Sequence, residues 1–209
     1  MSKLPARRGA ELRNQILVAA KNAFLAAGFE RTSMDHVATQ AGTTKRTLYA
    51  HFGRKEDLFL AVFELVLGLQ LHHLGQPADY APDPPAALTQ FCMRFLETIL
   101  SSRPLSLFQL AIAETSRFPQ GGTVRLHEAL LESVEARITQ FLTALGQPAP
   151  AARATQLLAQ LLYPRFTRAL FGAAEPAATH SDDLGDTPAV DPESVRRLVA
   201  AALADAAAP

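Results

Sequence analysis

Residues 41–58, AGTTKRTLYAHFGRKEDL, bring Lys45, Arg46, Arg54 and Lys55 together with Thr43, Thr44, Thr47 and Tyr49. Lysine and arginine donate to phosphate oxygens and to guanine O6 and N7; threonine can hydrogen-bond a base or phosphate and touch a thymine methyl. These are the groups that read duplex DNA. On charge alone, a solvated basic face accounts for them equally well.

The charge of the whole chain sharpens the question. The 209 residues have zero net charge. Residues 1–55 nevertheless hold ten lysines and arginines against Glu11, Glu30 and Asp35, a net of +7, which leaves −7 on the remainder. A basic head on an acidic body fits a small polyanion-binding domain joined to something else. The length allows one large domain, or a small one joined to a larger one. The single cysteine, Cys92, excludes an internal disulfide framework and fits a reducing compartment. No apolar run is read as approaching the roughly 20 residues of a membrane span, and the basic N-terminus lacks the apolar segment of a signal peptide. A cytoplasmic protein without a membrane partner is expected.

Almost every segment has helical periodicity, so the expected fold class is all-α. Leu12, Ile16, Ala20, Phe24 and Ala27 recur at one helical face until Gly28 stops it. Thr32 or Ser33 caps a short second helix with Met34, Val37, Ala38 and Ala41 inward, and Gly42 ends it. Thr43 or Thr44 caps a third, KRTLYAHF, whose Leu48 and Phe52 point to the core. A long fourth helix, KEDLFLAVFELVLGLQLHHL, leads from head to body. Residues 1–9 read as a flexible basic arm, 10–55 as a helix-turn-helix domain and 56–209 as a helical body. Within the body, 173–190 form an acidic, proline-containing linker, and a last helix begins at Asp191-Pro192. Pro164 interrupts a helical pattern and should kink it.

Two short helices joined at Gly42 are the arrangement that presents a helix to the major groove. The turn QAGTT requires a residue without a Cβ at its centre. The second helix then exposes Thr43, Thr44, Lys45, Arg46, Thr47, Tyr49 and Ala50. Lys55, at the start of the fourth helix, adds its charge to that helix's free N–H groups, a ready phosphate site.

These residues resemble the DNA-binding head of the TetR family of bacterial transcriptional regulators. The resemblance covers about residues 10–63 and rests on Phe24, Gly28, Phe29, Thr32, Val37, Ala38, Ala41, Gly42, Leu48, Tyr49, Phe52, Lys55, Leu58 and Phe59. It implies phosphate contacts from Thr32 or Ser33, Tyr49, His51 and Lys55, and base-facing roles for Thr44, Lys45, Arg46 and Tyr49. Tyr49 can equally brace its helix, and His51 can be structural. Arg7, Arg8 and Arg13 form either a DNA-reaching arm or a disordered one. Thr43 stands where the family often has an aliphatic residue, and Arg46 where it often has glycine or another small one, so no relative's operator sequence carries over.

In that family the body dimerises through its last long helices and encloses a pocket for an effector that weakens DNA binding. Here ATQLLAQLLYPRFTRALFG and ESVRRLVAALADAAA are amphipathic and rich in alanine and leucine, as a four-helix seam between two copies requires. Phe63, Leu67, Phe91, Phe95, Leu107, Phe108, Ala111, Arg165 and Phe166 are the candidate pocket residues, with ordinary core packing as the competing reading for each. No charged group stands out among the apolar ones, which suggests an apolar or aromatic effector. His72-His73 point about 100° apart on a helix and make a poor chelate. No metal, cofactor or catalytic site is expected, because no nucleophile–base pair, metal-ligand spacing or glycine-rich phosphate loop occurs. The expected function is a dimeric repressor bound to a palindromic operator in double-stranded DNA and released by a small molecule. The alternative is a regulator or activator controlled by a protein partner.

Overall fold

The computed structural model describes residues 4–115, 122–173, 177–181, 185–188 and 190–204. The chain packs as two compact units, residues 1–68 with 109–126, and residues 69–108 with 127–209. The first boundary lies beyond the expected 55/56 because the start of the fourth helix completes the core of the head.

In the first unit, α1 (Leu4–Arg31) runs to a break at Gly28, whose φ of 79° and ψ of 171° belong to a region that only glycine occupies freely. The break turns the chain so that Phe29 faces back inward. Helices α2 (Met34–Gln40) and α3 (Lys45–His51) follow, and α4 (Lys55–Leu74) begins here. The core is aromatic. Phe29 stacks on Phe24 at 5.8 Å, and Phe59 meets the two edge-on at 5.6 and 5.2 Å. Ile16, Ala20, Val37, Leu48, Leu58 and Val62 are fully buried around them. Burying each large side chain contributes about 1.5–3 kcal/mol, enough for a short three-helix head to hold its shape.

Two expectations need correction in this unit. Helix begins at Leu4, so the segment read as a flexible arm is helical from that residue on; residues 1–3 lie outside the described ones. Helix α4, of 20 residues, is also long and apolar enough, by length and composition, to pass as a membrane span, with mean hydropathy 1.4 over an 18-residue stretch of it. Its apolar residues have another use: Leu58, Phe59, Val62 and Phe63 are buried.

The second unit contains α5 (Pro84–Leu100), the start of α6 (Ser102–Ala113), most of α7 (Gly122–Ala144), α8 (Pro150–Leu162), α9 (Arg165–Leu170) and α10 (Pro192–Leu203). Pro164 separates α8 from α9, as a residue lacking its N–H must. Asp191 caps α10, accepting hydrogen bonds from the N–H groups of Glu193 and Ser194, each at 3.1 Å, with Pro192 in the first turn. Helix α10 packs against α5 and α8.

The segment read as a linker contains an antiparallel pair, β1 (Ala177–Ser181) and β2 (Gly185–Pro188), with His180 opposite Asp186 and β2 against α5. Residues 174–176, 182–184 and 189 lie outside the described ones. Strands this short, AATHS and GDTP, carry no apolar alternation, so nothing in their side chains announced pairing. The fold remains all-α, with this one ribbon among the described residues.

Candidate nucleic-acid interface

Two hydroxyl caps set up the helix-turn-helix. Ser33 Oγ accepts from the His36 N–H at 3.1 Å and starts α2; Thr44 Oγ1 accepts from the Thr47 N–H at 3.2 Å and starts α3. Between them Gly42, at φ 62°, lets its own N–H reach Thr39 O at 3.1 Å while the Thr43 N–H reaches Ala38 O at 2.9 Å. That pair of bonds closes α2 in the left-handed turn for which glycine is suited. The need lies in the backbone conformation, since a Cβ on Gly42 would meet no atom within 4 Å.

Leu48 and Phe52 anchor the inner side of α3, at 0% and 4% exposure. Thr44, Lys45, Arg46, Tyr49, Ala50 and His51 are therefore exposed, while Thr43 and Thr47 are half-buried. The hydroxyls of Thr44 and Thr47 share a 2.9 Å hydrogen bond. Tyr49 is 43% exposed, more open than a core brace would be. Ser33 and His36 are exposed on α2; His36 escaped the sequence reading because a lone histidine on a short helix carries no pattern.

The structure corrects two expected phosphate ligands. Thr32 is buried, and its Oγ1 lies within hydrogen-bond distance of Gly28 O at 2.7 Å and Ala23 O at 3.1 Å, carbonyls left over where α1 breaks. Its hydroxyl faces inward, and Ser33 is the one at the surface. Lys55 Nζ donates to Phe29 O at 2.9 Å, Thr32 O at 3.2 Å and Glu30 O at 3.3 Å, and lies 4.3 Å from the Phe29 ring centroid. Three donors meet three carbonyls. Lys55 thus ties α4 to the end of α1 instead of facing outward.

Other cations are held in part. Arg54 grips Asp57 with two N–H groups, at 3.2 and 3.3 Å, and Lys45 Nζ donates to Asp35 Oδ2 at 2.9 Å. Each carboxylate raises its partner's pKa, chiefly through the hydrogen bond. Arg13 lies over the Phe52 ring at 5.3 Å, so it belongs to the head and not to an arm. The side chains of Arg7 and Arg8 lie outside the described residues.

The residues expected to line a pocket divide between the units. Phe63, Leu67 and Ala111 are buried in the first. Phe91, Phe95 and Leu107 are buried in the second, with Tyr80 edge-on to Phe91 at 6.0 Å. Arg165 is not free to line a cavity: Nη1 donates to Gln160 O and Leu161 O at the end of α8, and Nη2 to Ser194 Oγ at 2.6 Å. Phe108 and Phe166 do come together, edge-on at 5.3 Å, and a residue the sequence did not suggest joins them. His127 stacks on Phe166 at 5.9 Å and meets Phe108 at 5.6 Å. Its Nδ1 is buried without a hydrogen-bond partner among the described residues. Burial pushes its pKa below the ordinary imidazole value, against the smaller opposing pull of Glu128. Cys92 is buried, and burial pushes its thiol far up, out of reach of thiolate chemistry.

Comparison with known proteins agrees with this geometry. Residues 16–62 match the family model described as bacterial regulatory proteins, tetR family, and residues 86–191 match that of the AefR-like transcriptional repressor, C-terminal domain. The chain is 43% identical over 54 residues to the HTH-type transcriptional activator FasR of Mycolicibacterium smegmatis, covering 26% of this chain and 25% of that one. Among curated relatives the matched segment spans less than two thirds of their length, from 25% of FasR to 63% of YhgD of Bacillus subtilis. A TetR-family regulator from Mesorhizobium loti superposes with a TM-score of 0.73 at 27% identity, over 94% of this chain and 95% of that one. The Flavonoid-responsive Regulator FrrA superposes with a TM-score of 0.64 at 25% identity, over 93% and 94%. With its head and body matched in order and its helix-turn-helix outward, the chain belongs to the TetR family of bacterial DNA-binding transcriptional regulators.

Proposed function

We propose that the protein is a homodimeric repressor that binds a palindromic operator and is released from it by an apolar or aromatic small molecule. The observation that carries the DNA half is the outward face of α3, where Arg46 and Tyr49 stand exposed beside Thr44 and Lys45. In this reading Thr44, Lys45, Arg46 and Tyr49 face base edges, while Ser33 and His51 position the backbone. One such helix reads only a few base pairs, so useful specificity needs a second copy on a second half-site. Helices α8 and α10 supply small exposed residues for that partner, Ala152, Ala159 and Ala201, beside a groove of 300 Å³ bounded by Arg153 and Leu198.

The effector half is supported by the cluster of Phe108, His127 and Phe166. A buried, unpartnered imidazole nitrogen against aromatic rings is well matched to the hydroxyl of an uncharged aromatic compound. The name of FrrA records a response to flavonoids, which are such compounds. The competing reading, control by a protein partner or activation instead of repression, has in its favour that FasR is called an activator.

Selection from a random duplex library by the purified chain tests the first half. A palindromic consensus bound by two chains supports the proposal, and a consensus without symmetry refutes the paired-half-site reading. Release from that duplex by naringenin, diminished in His127→Phe, supports the effector assignment. Release undiminished in His127→Phe moves the effector site elsewhere, and no release by any aromatic compound favours the protein-partner reading.

A further inference from the structure

The cations of the recognition face differ in what already holds them. Lys55 is bonded to three carbonyls and Arg54 is clasped by Asp57. Arg46 has no hydrogen-bond or ion-pair partner among the described residues. Lys45 lies between these cases: one carboxylate, from the other helix of the motif, holds it at 2.9 Å, while the two side chains stay 55% and 64% exposed.

Stability alone does not account for that pair. Lys45 is the first residue of α3, where the helix's unpaired N–H groups disfavour a cation, and an exposed ion pair adds little to folding. Asp35 sits in the first turn of α2, where a carboxylate is favoured. Its place is thus secure, whereas Lys45 is where it is at some cost to its own helix. An ammonium has three donors. With one directed to Asp35, two remain for acceptors in the groove, and the long side chain has fewer conformations to lose on binding. A free lysine here would instead bind phosphate at any sequence and release a counterion as it did so.

We propose that Asp35 is a specificity-determining positioning residue, whose carboxylate neutralises Lys45 toward phosphates and aims its remaining donors at base edges in the operator. It does so without touching DNA productively itself, because its own charge is repelled by the phosphates. Discrimination then comes from weakening the wrong complexes more than from strengthening the right one.

The test compares Asp35→Asn with the parent on the selected operator and on a scrambled duplex of equal length, across a salt series. Asp35→Asn is expected to tighten binding to the scrambled duplex about tenfold at low salt and to steepen its salt slope by about one. The operator complex should gain less, so the ratio of the two affinities falls. In a Lys45→Met background, Asp35→Asn should leave that ratio unchanged within about twofold, because the effect acts through Lys45. Asp35→Ser serves as a second neutral variant, with circular dichroism to confirm that α2 persists in both. Equal tightening on both duplexes, no change on either, or the same fall in ratio without Lys45 would each overturn the proposal.

Discussion

Lys55 and Arg46 carry the same charge and do different work. Lys55 satisfies three carbonyls around the break in α1 and lies against the Phe29 ring, so its removal strands acceptors inside the head. Lys55→Ala is expected to lower stability by about 1–3 kcal/mol in urea unfolding, and to weaken DNA binding only as the head loosens. Arg46→Ala should leave unfolding unchanged. It should relax base preference at one operator position, costing about 1–3 kcal/mol of discrimination there, read by repeating the library selection. If Arg46→Ala instead weakens all sequences alike, Arg46 contacts phosphate. His127 provides a third check at this scale. Its pKa is lowered in the folded chain, so below the ordinary imidazole value the unfolded chain binds the extra proton. Stability is therefore held above about pH 6.5 and falls as the pH drops from there through the folded pKa. His127→Phe should flatten that part of a melting-temperature profile taken between about pH 5 and 7.

Among the elements, a recurring device is a cation closing the C-terminal end of a helix. Arg137 Nη1 donates to Leu71 O at 2.8 Å and Gly75 O at 2.6 Å at the end of α4, and Arg153 Nη1 to Ala202 O and Ala204 O at the end of α10. Arg165 does the same for α8. The last carbonyls of a helix have no partner within it, and the negative end of its dipole favours a guanidinium there. Arg137 and Arg153 in this way join elements far apart in the chain: 66 residues separate Arg137 from Leu71, and 49 separate Arg153 from Ala202. Arg137→Ala is expected to destabilise by about 1–3 kcal/mol, since two acceptors lose their donor. A guanidinium-denaturation curve with an unchanged midpoint would show water replacing the arginine without loss.

At the scale of the whole molecule, the head and body have opposite charge, and much of the head's charge is already answered from within. Lys45, Arg54 and Lys55 have internal partners, so the head's ten lysines and arginines overstate the donors available to phosphates. The salt slope on operator DNA should accordingly be shallower than a count of the cations implies. Pairing of two copies through α8 and α10 can be tested separately. Ala159→Glu places a charge on the exposed small-residue face of α8, and sedimentation should then show a single chain with operator affinity greatly reduced. A two-chain species persisting in this variant would place the seam on another face.

Much of this was legible in the residues. Helical periodicity, the Ser33 and Thr44 caps, Gly42 and the inward Leu48 and Phe52 are local signals, and local backbone chemistry determines them. They were sufficient for the all-α class, the helix-turn-helix and the outward face of α3. What the sequence could not supply was the partner of each polar group. Thr32 and Lys55 have the residue types of phosphate ligands, and only the break at Gly28 and the return of α4 decide that carbonyls claim them first. The same holds for Arg165, claimed by the end of α8, and for His127, brought between two phenylalanines 19 and 39 residues away. The ribbon in 177–188 likewise depends on main-chain pairing that its side chains do not encode. A residue's type determines what it can bond; tertiary structure decides which bond is closest, because the unsatisfied groups of a folded chain compete for the same donors.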